Sequence, residues 1–144
     1  MEREKLVENL MTVVPYWHYA VNKRLKRLHY NKMSRETYYC LQMLRHQGAM
    51  TMSEMARRLG ISKQQATRTV EELHRHGFLR RVADEHDRRF IRIEPTEEAN
   101  RYIEDNFYRD ETMTRDLEQS LSPEEIEEFG AAIATLRKLL PKLA

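Results

Sequence analysis

The chain has 144 residues, 25 Lys+Arg against 23 Asp+Glu and a single cysteine. That is one domain's worth of polypeptide, without a disulfide framework and with a thiol suited to a reducing compartment. No signal-peptide segment or membrane-length apolar run is present, so a soluble, cytoplasmic protein with no membrane partner is expected.

Charge is unevenly placed. Residues 1–52 hold 9 Lys+Arg against 4 Asp+Glu, residues 53–94 hold 10 against 7, and residues 95–144 hold 6 against 12. The front can therefore face a polyanion while the acidic tail points away, although charges at this density also simply keep a surface wet.

Glu2 to about Asn31 reads as a long helix, with Leu6, Leu10, Val13, Val14, Trp17, Val21, Leu25 and Leu28 at helical spacings. Pro15 removes a hydrogen bond and clashes with the carbonyl of Met11, so a kink or break is expected near Val14. Lys23, Arg24, Lys26 and Arg27 follow aromatic residues, which suits a membrane-surface or nucleic-acid segment less well than a dimerisation helix with a solvated basic face. Ser34 can cap the next helix, which runs to about Gln47 and turns at Gly48. Thr37, Cys40, Leu41 and Leu44 share its inner face. Cys40 is then a small buried hydrophobe; a redox trigger at the same thiol would need exposure and an electropositive setting.

Thr51 and Glu54 have capping-box form at the start of a short helix that carries Met55, Ala56 and Leu59 inward and stops at Gly60. Ile61 pins the turn. Ser62 and Gln65 offer a second capping box. Ala66, Val70 and Leu73 form the buried stripe of the helix that follows, and Gly77 closes it. The opposite face shows Lys63, Gln64, Gln65, Thr67, Arg68 and Thr69, a long, uncharged or basic set that can reach base edges and phosphates from a major groove. Phe78–Val82 and Phe90–Ile93 then read as two strands around the loop 83–89, whose tip carries Asp87, Arg88 and Arg89. A carboxylate two residues before an arginine can fix the guanidinium for a narrow minor groove. Two ordinary surface charges would look the same in sequence.

After the ribbon, Thr96 can cap a helix reaching about Ser120. Ser122, Pro123 and Glu125 spell another start, with cap, first-turn proline and capping-box carboxylate. The last helix places Ile126, Phe129, Ile133, Leu136 and Leu140 in one apolar seam.

Nothing here marks an enzyme. No nucleophile is paired with a base, the four glycines form no phosphate loop, and no catalytic residue or cofactor is expected. His74 and His76 lie about 200° apart around a helix, and no Cys/His spacing fits zinc, so no metal is expected.

The order helix, turn, helix, ribbon, and in particular LRHQGAMTMSEMARRLGIS, ATRTVEELHRHGFL and the DRR at 87–89, resembles the MarR (multiple antibiotic resistance regulator) family of winged-helix repressors. Pro95–Thr96 stands where that family often has Leu-Thr, and Asn100 where a glycine is often seen. The resemblance implies a mainly α fold with a small β-wing: a dimerisation region at 1–33, a winged helix-turn-helix at 34–95 and C-terminal dimerisation helices at 96–144. It further implies that Leu6, Leu10, Ile126, Phe129, Ile133, Leu136 and Leu140 join two copies into a homodimer. Ser62, Lys63, Gln64, Gln65, Thr67, Arg68 and the wing residues Asp87, Arg88 and Arg89 would meet a palindromic operator in double-stranded DNA. Tyr16, Trp17, Tyr19, Tyr38, Tyr39 and Met43 would, beyond their packing role, line a pocket for a small aromatic effector. Two alternatives stay open: a winged-helix interaction module that does not read DNA, and a regulator triggered by oxidation of Cys40.

Overall fold

The computed structural model describes residues 1–28 and 33–143, without the side chains of residues 27 and 28. The expected end of the first helix near Asn31, the side chain of Leu28, and His29 lie outside the described residues. The chain divides into two units, Met1–Ser34 and Arg35–Ala144.

In the first unit, α1 spans Arg3–Trp17, a π-helical turn covers His18–Asn22, and α2 spans Lys23–Leu28. The helix does not break at Val14. It continues through Pro15, and the N–H of His18 reaches the carbonyls of Val14 and Pro15. The irregularity lies one turn later, in the wider π turn, a form that accommodates a ladder defect without ending the helix. No residue of α1 is buried: Leu6 and Leu10 are both exposed.

The second unit is built around α3 (Arg35–Gln47), α4 (Met52–Leu59) and α5 (Lys63–Arg75). Their inward faces meet in one core, where Leu41, Leu44, Met55, Val70 and Leu73 are sealed from solvent. Thr37 on the inner side of α3 donates from Oγ1 to Glu72 Oε2 of α5 at 3.0 Å. A three-stranded antiparallel sheet of order β1-β3-β2 lies beside them, formed by β1 (Met50–Thr51), β2 (Leu79–Ala83) and β3 (Ile91–Pro95). Sequence patterning finds β2 and β3 within a residue or two and misses β1. Two residues are too few to show alternation, and β1 exists only because Met50 and Thr51 pair with Ile93 and Arg92.

The single helix expected from Thr96 to Ser120 is instead α6 (Glu97–Ile103), a π-helical turn (Glu104–Tyr108) and α7 (Glu111–Ser120). Arg109 leaves helical geometry, and Asp110 starts α7 by accepting the N–H of Met113 at 2.8 Å. An aspartate inside an apolar-periodic stretch is the signal that was available for this break. α8 (Pro123–Leu139) begins as expected, with the reciprocal Ser122 and Glu125 box formed and Pro123 at its first position.

At the first departure from the MarR pattern, Pro95 pairs with Leu79 as the last rung of the ribbon, and the residues around both departures have local partners. Thr96 ends the ribbon through its N–H to Phe78 O at 3.0 Å and its hydroxyl to Gly77 O at 2.7 Å, then caps α6. Asn100 accepts the Arg45 Nε–H at 2.8 Å.

Candidate nucleic-acid interface

The helix-turn-helix is fixed by its ends. Thr51 Oγ1 accepts the Glu54 N–H, and Glu54 returns a carboxylate oxygen to the Thr51 N–H, both at 3.2 Å. At the other end Gly60 adopts φ +66°, where a side chain would be strained, and Ile61 N–H closes back on Ala56 O at 3.0 Å. The turn into α5 is thereby set without help from distant residues. Ser62 Oγ accepts the Gln65 N–H at 3.1 Å, which forms the cap and only half of the expected box, because Gln65 sends no described bond back.

α5 presents Ser62, Lys63, Gln64, Thr67 and Arg68 to solvent, with Gln65 half-buried beside them. Thr69 does not belong to this surface. It is 5% exposed, and its hydroxyl donates to Gln65 O at 2.9 Å, the way a buried threonine satisfies itself on a helix. Thr67 is exposed, and its hydroxyl lies 2.9 Å from Lys63 O and 3.4 Å from Met52 Sδ, so an approaching phosphate competes with these acceptors for its proton.

On the wing, Arg89 Nε sits 3.0 and 3.2 Å from the two oxygens of Asp87, and an Nη closes the fork at 2.7 Å. The Arg89 N–H adds a bond to the same carboxylate at 3.0 Å. Arg89 is 87% exposed while Asp87 is 29% exposed, so the cation stands out from a partner seated below it. The Arg89 bonds hold the Asp87 carboxyl below the usual carboxylate range. Arg88 is exposed beside them.

A second ion pair was not anticipated. Arg92 on β3 donates from Nε to Asp84 Oδ1 at 2.5 Å, and the other Asp84 oxygen accepts the N–H groups of His86 and Asp87 at 3.3 and 3.0 Å. The Arg92 bond holds Asp84 below its ordinary range too. An aspartate that can accept N–H groups two and three residues on is a recognisable turn former, so the Asp84 half was legible; its partner eight residues away was not.

The aromatic set divides between the units. Tyr16 and Tyr19 of the first unit are largely exposed and Trp17 partly so. In the second unit Tyr38 stacks on Phe107 at 4.7 Å and accepts from Gln42 at 2.9 Å, burial pushing its hydroxyl pKa up; Tyr39 is exposed and Met43 half-buried. Tyr108, outside the expected set, meets Arg45 at 2.7 Å with the guanidinium over its ring. A shallow cleft lies at the start of α7, lined by Tyr108, Arg109, Glu111, Thr114 and Arg115.

Cys40 is fully buried against Met55, its Sγ 2.8 Å from Sδ, and burial pushes the thiol up to about 12. At pH 8 almost no thiolate is present. Alkylation of the native protein by iodoacetamide, followed by mass spectrometry, is therefore expected to run at least about a thousandfold slower than that of the urea-unfolded chain. Comparable rates would restore Cys40 as a trigger. His76 stacks on Phe78, and no group of three metal-ligating side chains occurs among the described residues.

α8 buries no residue: Phe129 and Leu136 are exposed, and Ile126 and Ile133 half-exposed; Leu140, expected on the same helix, is exposed in the 3-10 turn Leu140–Leu143 that follows it. No helix among the described residues is long and apolar enough to cross a membrane.

Residues 32–89 match the model of the MarR family. The HTH-type transcriptional regulator YcgE of Bacillus subtilis (strain 168) is 32% identical over 85 residues, 59% of this chain and 55% of that protein, so the match spans little more than half the relative's length. Among solved structures, a MarR family protein from Bacillus stearothermophilus superposes with a TM-score of 0.72 at 24% identity, covering 97% of this chain and 99% of the other. FabT of Streptococcus pneumoniae, solved in complex with DNA, superposes with a TM-score of 0.59 at 18% identity, over 99% of this chain and all of that one. These structural likenesses establish the winged-helix fold.

Proposed function

We propose that this chain, which matches the MarR family model over residues 32–89, is a homodimeric transcriptional regulator of that family that represses by binding a palindromic operator. The observation that carries this reading is the wing: an exposed Arg89 held by Asp87 in a two-toothed fork, on the same unit as the exposed Lys63, Gln64 and Arg68 of α5. Such a pair of surfaces suits one helix in a major groove and one arginine in the neighbouring minor groove. Two copies would place two such heads on half-sites about one helical turn apart, about 34–36 Å, which is why the operator is proposed to be palindromic. Dimerisation is supported by α1 and α8, two helices that carry apolar stripes and bury none of them.

For release we propose a small aromatic molecule in place of oxidation. Cys40 is sealed, while aromatic side chains a ligand could stack on are exposed in each unit: Tyr16 and Tyr19 in the first, Tyr39 in the second.

The test is selection of a duplex from a random pool, followed by gel shifts across a salt series. A specific complex with 6–10 phosphate contacts should lose about 10³–10⁵ in affinity between 50 and 200 mM salt. Gln64, Gln65 and Arg68 are assigned to bases and Lys63 to phosphate. Gln65→Ala should then relax preference at one or two symmetric positions, by about 1–3 kcal/mol each, without equal loss on random duplex. A protein that selects no duplex would instead be an interaction module.

A further inference from the structure

We infer that Arg92 is a positioning residue that ties the wing tip to the helix-turn-helix and so determines where Arg89 stands. This rests on the reading of the wing as a DNA-contacting element. Arg92 lies on the central strand, paired with Thr51 of β1 on one side and Val82 of β2 on the other. Its backbone is therefore fixed from both edges. Its guanidinium then meets three acceptors from three places in the chain: Asp84 Oδ1 at 2.5 Å in the wing loop, Ala49 O at 3.3 Å before β1, and Glu54 Oε2 at 3.5 Å on α4.

The Glu54 oxygen is the one that closes the α4 cap on the Thr51 N–H. One carboxylate thus serves the first helix of the reading motif and the arginine of the wing together. On the wing side Asp84 is the hub of the loop. Its second oxygen gathers the N–H groups of His86 and Asp87, its own N–H donates to Phe90 O at 3.0 Å, and the Phe90 N–H returns to Asp87 O at 3.0 Å. Asp87, held in this way, forks onto Arg89. A continuous path therefore runs from the α4 cap to the tip arginine: an ion pair from Glu54 to Arg92, then hydrogen bonds from Arg92 to Asp84, from Asp84 to Asp87 and from Asp87 to Arg89. A loop of seven residues with an exposed cation would otherwise sample many directions, and a displacement of about one ångström is enough to lose a bidentate contact.

Two variants test this in the full-length protein. Arg92→Lys keeps the charge and loses the Nε–H, and Asp84→Asn keeps the size and loses the charge. In ¹⁵N-labelled protein without DNA, the Arg89 Nε–H signal should be resolved and slowly exchanging in the wild type and should shift to the position of a free arginine in both variants. On a duplex selected from a random pool by the wild type, affinity should fall about tenfold, while binding to random-sequence duplex stays within about twofold. Asp84→Asn removes a negative charge, so net charge alone would tighten binding to both duplexes. An Arg89 signal unchanged in a folded variant overturns the inference, and so does an equal loss on selected and random DNA. If Arg92→Lys does not fold, Asp84→Asn decides by the same signals. Because the nitrogen signal is read without DNA, a wild type that selects no duplex refutes the DNA reading while the position of Arg89 is still judged.

Discussion

Replacing Ile133 and Leu136 together by aspartate is expected to convert the protein to monomer or unfolded chain and to lower operator affinity by at least about a hundredfold. Both residues lie on α8, where Leu136 is exposed and Ile133 half-exposed in the isolated chain. A carboxylate at either position therefore meets mainly solvent within one copy, and the monomer's own core loses little. Across a homodimer the same positions would be desolvated, and an unpaired buried charge is among the most damaging changes an interface can suffer. An obligate interface of this kind buries on the order of 2,000 Å² or more. The loss on DNA follows from geometry, since one reading head bound alone forfeits the high local concentration that its tethered twin supplies. Light scattering and a gel shift on the same sample check both halves. A double variant that remains dimeric would refute the placement of the interface on α8.

The second large effect concerns Arg89 and Asp87. Arg89→Ala should cost at least about tenfold in operator affinity and lower the salt slope by roughly one unit, as loss of one phosphate-proximal cation does. That result alone would not separate an oriented arginine from any exposed positive charge. Asp87→Ala does. Removing a carboxylate from a surface that faces a polyanion should tighten binding if only net charge matters. Here Asp87 supplies both teeth of the Arg89 fork and accepts the Arg89 N–H as well, so its loss frees the guanidinium. Weaker binding at fixed salt is therefore expected, opposite in sign to the electrostatic result. Neither substitution should disturb folding, because both side chains lie in the wing loop, outside the sealed core, and their mutual bonds are confined to that loop. Tighter binding by Asp87→Ala would end the orienting role.

The features legible in sequence were those whose physics is complete within a few residues. Thr51 with Glu54, Gly60 before Ile61, Gly77, and Ser122 with Pro123 and Glu125 each satisfy their own helix ends, and each is found where its spelling places it. The Asp87 and Arg89 pair belongs to the same class, being two residues apart. What escaped the sequence depends on partners far along the chain. β1 needs β3, the Arg92 contacts reach back to Ala49 and Glu54, and Thr69 is buried by tertiary packing although its helix position looked outward. The break at Arg109 escaped for a different reason. The helical spacing of Ala99, Tyr102, Ile103 and Phe107 leads up to the break without marking it, and the cap that restarts the helix, Asp110, carries no neighbouring glycine or proline to announce an end.

The fastening at Thr96 carries a consequence for how the wing can vary. Thr96 grips the carbonyls of Gly77 and Phe78, so the ribbon is closed at its foot by bonds to main-chain oxygen, which every amino acid supplies. Between that clasp and the tip, the ladder from Leu79 with Pro95 to Ala83 with Ile91 is likewise main chain against main chain. The stem is in this sense independent of its tip: a change of letters in the loop leaves the stem closed, although it forfeits the placement of Arg89 that Asp84 and Asp87 supply. The stem tolerates change at the tip better than at the clasp, where one hydroxyl, that of Thr96, donates to Gly77 O and accepts the Ala99 N–H at once.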